Sequence, residues 1–161
     1  MTLDLMIRNE GLHSAISALR GRLKRPADTS GQFPRESWSA IAETALFAEL
    51  VRGDFAGPLG VKATVSALEC LGEVSEDPGL NFSVATHLAS TLYAVAKYGS
   101  PDLRTRILDD LVTGKLIGAH AISEEGAGSD ALAMQTRAEA DHDTFVLTGD
   151  KAFVTMVLSP T

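Results

Sequence analysis

A chain of 161 residues with 45% hydrophobic and 22% charged residues has the composition of a folded globular protein, which excludes a disordered or low-complexity one. That length suffices for one ordinary domain, or for one domain and a piece of another. A net charge of −7 argues against nucleic acid as a partner, since phosphate backbones demand clustered Lys and Arg.

The N-terminus carries Asp4, Arg8 and Glu10, which leave no uninterrupted apolar run for a signal peptide. Leu12, Ile16, Leu19 and Leu23 recur at helical spacing and predict an amphipathic helix over most of the first two dozen residues. Pro26, Ser30, Gly31 and Pro34 break it with a polar loop. Residues 34–51 resume as a helix with Trp38, Ile41, Ala45 and Leu46 on one face, ended by Gly53 and the turn-rich GDFAGPLG. Val61, Val65 and Leu68 define a third helix, closed by EDPG. Cys70 lies in this run. As the single cysteine it forms no internal disulfide, and it reads as a small buried hydrophobe in a reducing, cytoplasmic compartment.

Residues 79–96 hold no formal charge, but Asn81, Ser83, Thr86, His87, Ser90 and Thr91 make them too polar for hydrocarbon. A fourth helix packed in a protein core is the expectation, with no membrane span. Ser100-Pro101-Asp102 starts a fifth: a hydroxyl cap, Pro at the first helical position, an acid in the first turn. Leu103, Ile107 and Leu111 continue it and Gly114 ends it.

The period then changes. Residues 116–122 form a short apolar run without helical spacing. Met134, Thr136, Ala138 and Ala140 alternate with Gln135, Arg137 and Glu139, the mark of a half-exposed strand. Asp141-His142-Asp143 reads as a turn before residues 144–148, rich in β-formers. The expected class is α+β: an all-α bundle over residues 1–115, then the first strands of an incomplete β-barrel domain over residues 116–161.

Chemistry concentrates between residues 122 and 155. Gly126 and Gly128 permit backbone conformations closed to other residues and let amides approach an anion. Ser129 adds a hydroxyl. GAGSD alone makes plain turns as readily as sites; its company is what matters. Ser123-Glu124 precede it directly, and Phe153-Val154-Thr155 follow after two strands.

On these residues the chain resembles the acyl-CoA dehydrogenase family. Residues 117–130 are similar to its TEPGAGSD-type segment and residues 144–155 to its G-(D/E)-K-x-W-I-T segment. Upstream, FPRESWSAIAETALFAELV and YGSPDLRTRILDDLVTGKLIGA resemble its early helix and its approach to the signature. The resemblance implies a helical N-terminal domain, a middle β-domain and a C-terminal helical domain, with FAD at their interface. It implies oxidation of an acyl-CoA or acyl-carrier thioester across its α and β carbons. Ile122 and Ser123 then fall at the flavin ring, and Gly128 and Ser129 at flavin phosphate or the substrate thioester. Phe153 takes the place of the Trp that covers the isoalloxazine, and Thr155 that of a hydroxyl near its reactive nitrogen.

Three substitutions depart from the family: Ser123 for Thr, Glu125 for Pro and Phe153 for Trp. Glu125 adds negative charge and removes a backbone constraint, and Phe153 keeps stacking but lacks the indole N–H. In the family the glutamate that removes the α-proton lies in the C-terminal domain. Glu124 and Glu125 sit in the flavin turn, out of geometric reach of such a step, so no catalytic residue is assigned. His13 is expected on an exposed helix face and His87 as a satisfied core histidine. His120 and His142 share no metal spacing, so no metal is assigned either.

The expected function is that of a truncated homologue of these flavoenzymes, inactive alone and binding FAD weakly or not at all. Alternatives are half of a split dehydrogenase for carrier-tethered acyl groups, completed by a second chain, and a flavin-free interaction module. A homo-oligomer is possible in either case. Residues 156–161, MVLSPT, leave the family pattern, which continues Thr-Asn-Gly or Thr-Asn-Ala. Restoring one A after the Thr155 codon regenerates Asn-Gly, so these six residues are expected to be a frameshift product, with a deliberate truncation as the alternative.

Overall fold

Local chemistry sets two of the helix starts in this computed structural model, which describes residues 3–25, 33–51 and 58–156. Its helices are α1 (Leu3–Ser17), α2 (Arg35–Glu43), α3 (Leu46–Val51), α4 (Pro58–Val74), α5 (Pro78–Thr86), α6 (Tyr93–Tyr98) and α7 (Pro101–Val112). Asp77 caps α5, its carboxylate accepting from the Leu80 N–H at 3.0 Å, and Ser100 caps α7 by accepting from the Leu103 N–H at 3.2 Å. Both caps are followed by Pro at the first helical position, where the missing N–H is no loss. Between α5 and α6, His87–Leu92 widen into a π-helical turn without breaking the helix.

The chain divides into two units, Met1–Gly118 and Ala119–Thr161. The first has a true core. Ile16, Trp38, Ile41, Leu46, Phe47, Leu71, Val84, Leu88 and Leu92 are all essentially removed from solvent. Each Leu, Ile or Phe buried in this way stabilises the fold by roughly 1.5–3 kcal/mol. Helix α4 packs on both α1 and α3.

Several expectations need correction here. The first helix stops at Ser17, and Leu19 and Leu23 are buried from a turn that uses Gly21 at φ 78°. Residues 35–51 form two helices, not one, because Ala45 adopts φ 66° and redirects the chain; Ala45 itself is exposed. On α4 the buried stripe is Ala63, Thr64, Ala67, Leu71 and Val74, while Val61 and Val65 are about half exposed. Small residues let neighbouring helices approach closely, so they won the core face. His13 is half-buried, its Nε2 3.1 Å from the Ser66 hydroxyl of α4. Cys70 is half-buried as well, lying 3.5 Å from the Ser17 hydroxyl rather than in an apolar pocket. The loop at residues 26–32, most of GDFAGPLG and residues 157–161 fall outside the described residues.

The second unit is built on a hairpin, β1 (Arg137–Asp141) and β2 (Thr144–Thr148), paired antiparallel with Ala138 opposite Leu147 and Ala140 opposite Phe145. His142 takes φ 52° in the turn. The period-2 pattern leaves Ala138, Ala140, Phe145 and Leu147 on one face. Both faces are exposed, not one as the alternation predicts, with Phe145 at 70% and Leu147 at 73%. Ala127 is the one buried apolar side chain of this unit among the described residues.

Candidate functional site

The second unit is organised by one carboxylate. Glu124 accepts from the Gln135 N–H at 2.6 Å, the Thr136 N–H at 3.0 Å, the Thr136 hydroxyl and the Lys151 ammonium at 2.8 Å. Its side chain is only 9% exposed and that of Lys151 19%. The Gln135 amide, then Lys151 and Thr136, hold the Glu124 carboxyl down at about 2. A carboxylate so committed is a structural node of this unit.

Lys151 reaches further, donating to the Ile122 carbonyl at 3.1 Å, and the neighbouring Ala152 N–H donates to the Ser123 carbonyl at 2.8 Å. Residues 122–124 and 151–153 are thereby laid side by side although 27 residues separate Glu124 from Lys151. Lys151 went unassigned in the sequence. The available signal was that it is the sole Lys or Arg after Arg137, and that a buried acid needs a partner.

Of the residues singled out from sequence, Ile122, Ser123 and Phe153 are brought together by this stitching. Ile122 is 44% exposed and Ser123 is exposed, while Phe153 is 93% exposed at φ 55°. A bulky residue at positive φ is held against a strain of about 1–3 kcal/mol. Since its ring packs on almost nothing, core formation does not explain it. Thr155 follows, half-buried.

Gly128 and Ser129 lie beyond a turn closed by the Ala127 N–H donating to the Glu124 carbonyl at 3.2 Å. No described hydrogen bond ties them to residues 153–155. Asp130 then accepts from the Leu132 N–H at 3.3 Å, starting a short 3-10 turn. Neither Gly126 nor Gly128 adopts a positive φ, and a Cβ on either would meet nothing within 4 Å. The backbone freedom expected of them is unused, and what they supply instead is open space beside their amides.

A groove of about 790 Å³ is lined by the node residues Glu124 and Lys151 together with Glu125, Arg137, Glu139 and Asp150. None of the six sequence-derived residues lines it. Four carboxylates, Glu124 included, stand there with Arg137 and Lys151, and no aromatic, Leu, Ile or Val side chain lines it. Among the described residues no cluster of three or more His, Cys, Asp or Glu could hold a metal ion, and no helix is long and apolar enough to cross a membrane.

The family profile described as acyl-CoA dehydrogenase, N-terminal domain, matches residues 18–115. An L-prolyl-[peptidyl-carrier protein] dehydrogenase of Serratia sp. is 38% identical over 121 residues, covering 74% of this chain and 31% of that protein. The mitochondrial short-chain specific acyl-CoA dehydrogenase of Sus scrofa is 33% identical over 129 residues, covering 80% and 31% respectively. Among solved structures, PigA with FAD and proline superposes with a TM-score of 0.78 at 27% identity, over 96% of this chain and 40% of that one. The chain thus spans about a third of the length of the curated relatives it matches. A helical domain carrying the family profile, followed by the antiparallel start of a β-domain, makes this chain a member of the acyl-CoA dehydrogenase family.

Proposed function

We propose that this chain supplies the N-terminal helical domain, residues 1–115, and the ring-side flavin residues, within 116–161, of an FAD-dependent dehydrogenase of acyl thioesters. The observation behind this reading is the Ala152-to-Ser123 hydrogen bond, which sets Ile122 and Ser123 beside an exposed, strained Phe153. In this reading Phe153 stacks on the isoalloxazine, Ser123 and Thr155 hydrogen-bond its polar edge, and Gly128 and Ser129 offer an amide and a hydroxyl to phosphate or to the thioester carbonyl. Bound there, the flavin would accept a hydride from the β carbon of the thioester. Glu124, held ionised and fully partnered, orients the site and takes no proton.

The matching titration uses isotope-labelled chain and FAD, followed by amide shifts. Perturbations are expected at Ser123, Ser129, Phe153 and Thr155, with a midpoint weaker than about 1 μM (roughly 8 kcal/mol), because only ring-side groups are present. Phe153→Gly relieves the positive φ yet removes the stacking face, so it should abolish the perturbations without lowering stability. Shifts confined to the groove around Arg137 and Glu139, or none at millimolar FAD, would overturn the assignment.

A carrier-tethered substrate is the second reading. It is supported by the higher identity to the prolyl-carrier enzyme, 38%, than to the short-chain acyl-CoA enzyme, 33%. A prolyl-loaded carrier protein that shifts the Ser129 amide where butyryl-CoA does not would favour it, and the reverse would restore CoA.

A further inference from the structure

Among the described residues, His87 is the most enclosed ionisable group of the helical unit, with no exposed surface. It sits on the π-helical turn, edge-on to Trp38 at 5.1 Å between ring centres and 4.9 Å from Phe47. One ring nitrogen reaches backbone in the last turn of α7 and the other backbone of the segment that follows it. The Gly118 N–H lies 3.0 Å from Nδ1, and Nε2 lies 3.0 Å from the Leu111 carbonyl. An amide N–H can only donate and a carbonyl can only accept. Nδ1 is therefore bare and Nε2 carries the proton, so the neutral tautomer follows from the partners alone.

The neighbourhood reinforces this segment. Trp38 Nε1 donates to the Gly114 carbonyl at 2.9 Å. Gly114 at φ 72° has no room for a Cβ, which would lie 2.8 Å from Ala42, and a Cβ on Gly118 would overlap Thr91 of the π-helical turn. We propose that His87 is a pH-sensitive clasp: its neutral ring pins residues 111–118 to the helical core, and its protonation releases the Gly118 end of that segment. His87 is thus a positioning residue for residues 111–118 within the helical unit. The clasp itself stands on the helical unit and does not require the flavin reading.

The chemistry has one sense. Protonated imidazole has two N–H donors and no acceptor, so the Gly118 N–H would face a second N–H and lose its partner. Burial outweighs the Leu111 carbonyl and holds the His87 ring below its usual value, with no charged side chain contributing. On the elements packed against it, Arg106 pairs with Asp102, Lys115 with Asp110, Lys97 with the Tyr93 hydroxyl, and Arg104 reaches the Ala96 carbonyl. Glu49 of α3 is half-buried, and Arg35, Glu36 and Glu43 of α2 and Asp109 of α7 complete the charged set; none has a described bond to the ring.

Because the folded ring resists the proton that the open ring takes, closure is complete above about pH 6.5 and weakens as pH falls below it. Amide hydrogen exchange on the 161-residue chain tests this. The Gly118 protection factor should fall by about tenfold per pH unit below about 6.5, while amides in the middle of α4 hold theirs. His87→Gln can place its amide carbonyl toward the Gly118 N–H and its amide NH2 toward the Leu111 carbonyl, so it should keep the protection and flatten the pH dependence. A flat wild-type profile, a parallel loss at every core amide, or a slope unchanged in His87→Gln would overturn the clasp. Should that variant not fold, the nitrogen shifts of His87 decide alone: bare Nδ1 at neutral pH supports the clasp and bare Nε2 sinks it.

Discussion

The helical and β units invest their apolar residues in opposite ways. The helical unit places Trp38, Phe47, Leu71 and Leu92 where water does not reach, whereas the β unit leaves Phe145, Leu147, Leu132 and Phe153 largely exposed. One unit is held by hydrophobic burial, the other by hydrogen bonds converging on Glu124. The lesson concerns what each can survive. A packed core tolerates loss of any surface group, while a polar node fails when its central charge is removed.

Truncating the core should have the largest effect. Trp38→Ala empties a fully buried site and strands the Gly114 carbonyl, so the helical unit should lose about 3–5 kcal/mol in chemical denaturation followed by far-UV circular dichroism. A loss below about 1 kcal/mol would break the comparison.

Acid should act on the other unit. The Glu124 carboxyl sits at about 2 against a usual 4.5. Its contribution is thus complete above about pH 4.5 and is lost as pH falls through about 2. Protection of the Thr136 amide should follow that window, and Glu124→Gln should lack protection there at neutral pH. Unchanged protection in Glu124→Gln would mean that the hairpin organises itself.

Smaller effects sharpen the contrast. Asp77→Ala removes the cap of α5 and should cost about 1 kcal/mol, read as a shifted denaturation midpoint. Leu147→Ala, in a strand exposed on both faces, should change stability by no more than about 0.5 kcal/mol. A core-sized loss there would show that the apolar hairpin face is covered in solution, for instance by a second copy through its unpaired edges.

Features governed by neighbours in the chain were legible in advance. Ser100-Pro101 starts α7, Gly114 ends that segment at positive φ, and His142 turns the hairpin, because each answers to backbone sterics or a local hydrogen bond. The candidate site was legible as two segments of residue types, Ile122 to Ser129 and Phe153 to Thr155. The link between them was not. It depends on Lys151 and Ala152 meeting residues nearly thirty positions away, and spacing carries no record of such a meeting.

The same division runs through the core. Apolar period read a third helix from Val61, Val65 and Leu68, whereas α4 starts at Pro58, inside the stretch read as a turn, and carries apolar residues on two faces. Only packing against α1 and α3 selected Ala67 and Leu71 over Val61 and Val65. Nothing in the local chain required Ala45 to turn at φ 66°; the burial of both Ile41 and Phe47 is what that break achieves. Composition, caps, turns and the family signature are local or additive properties, and sequence determined them unaided. The buried face of α4, the Glu124–Lys151 node and the tautomer of His87 are set by groups distant in sequence, so the tertiary structure alone decided them.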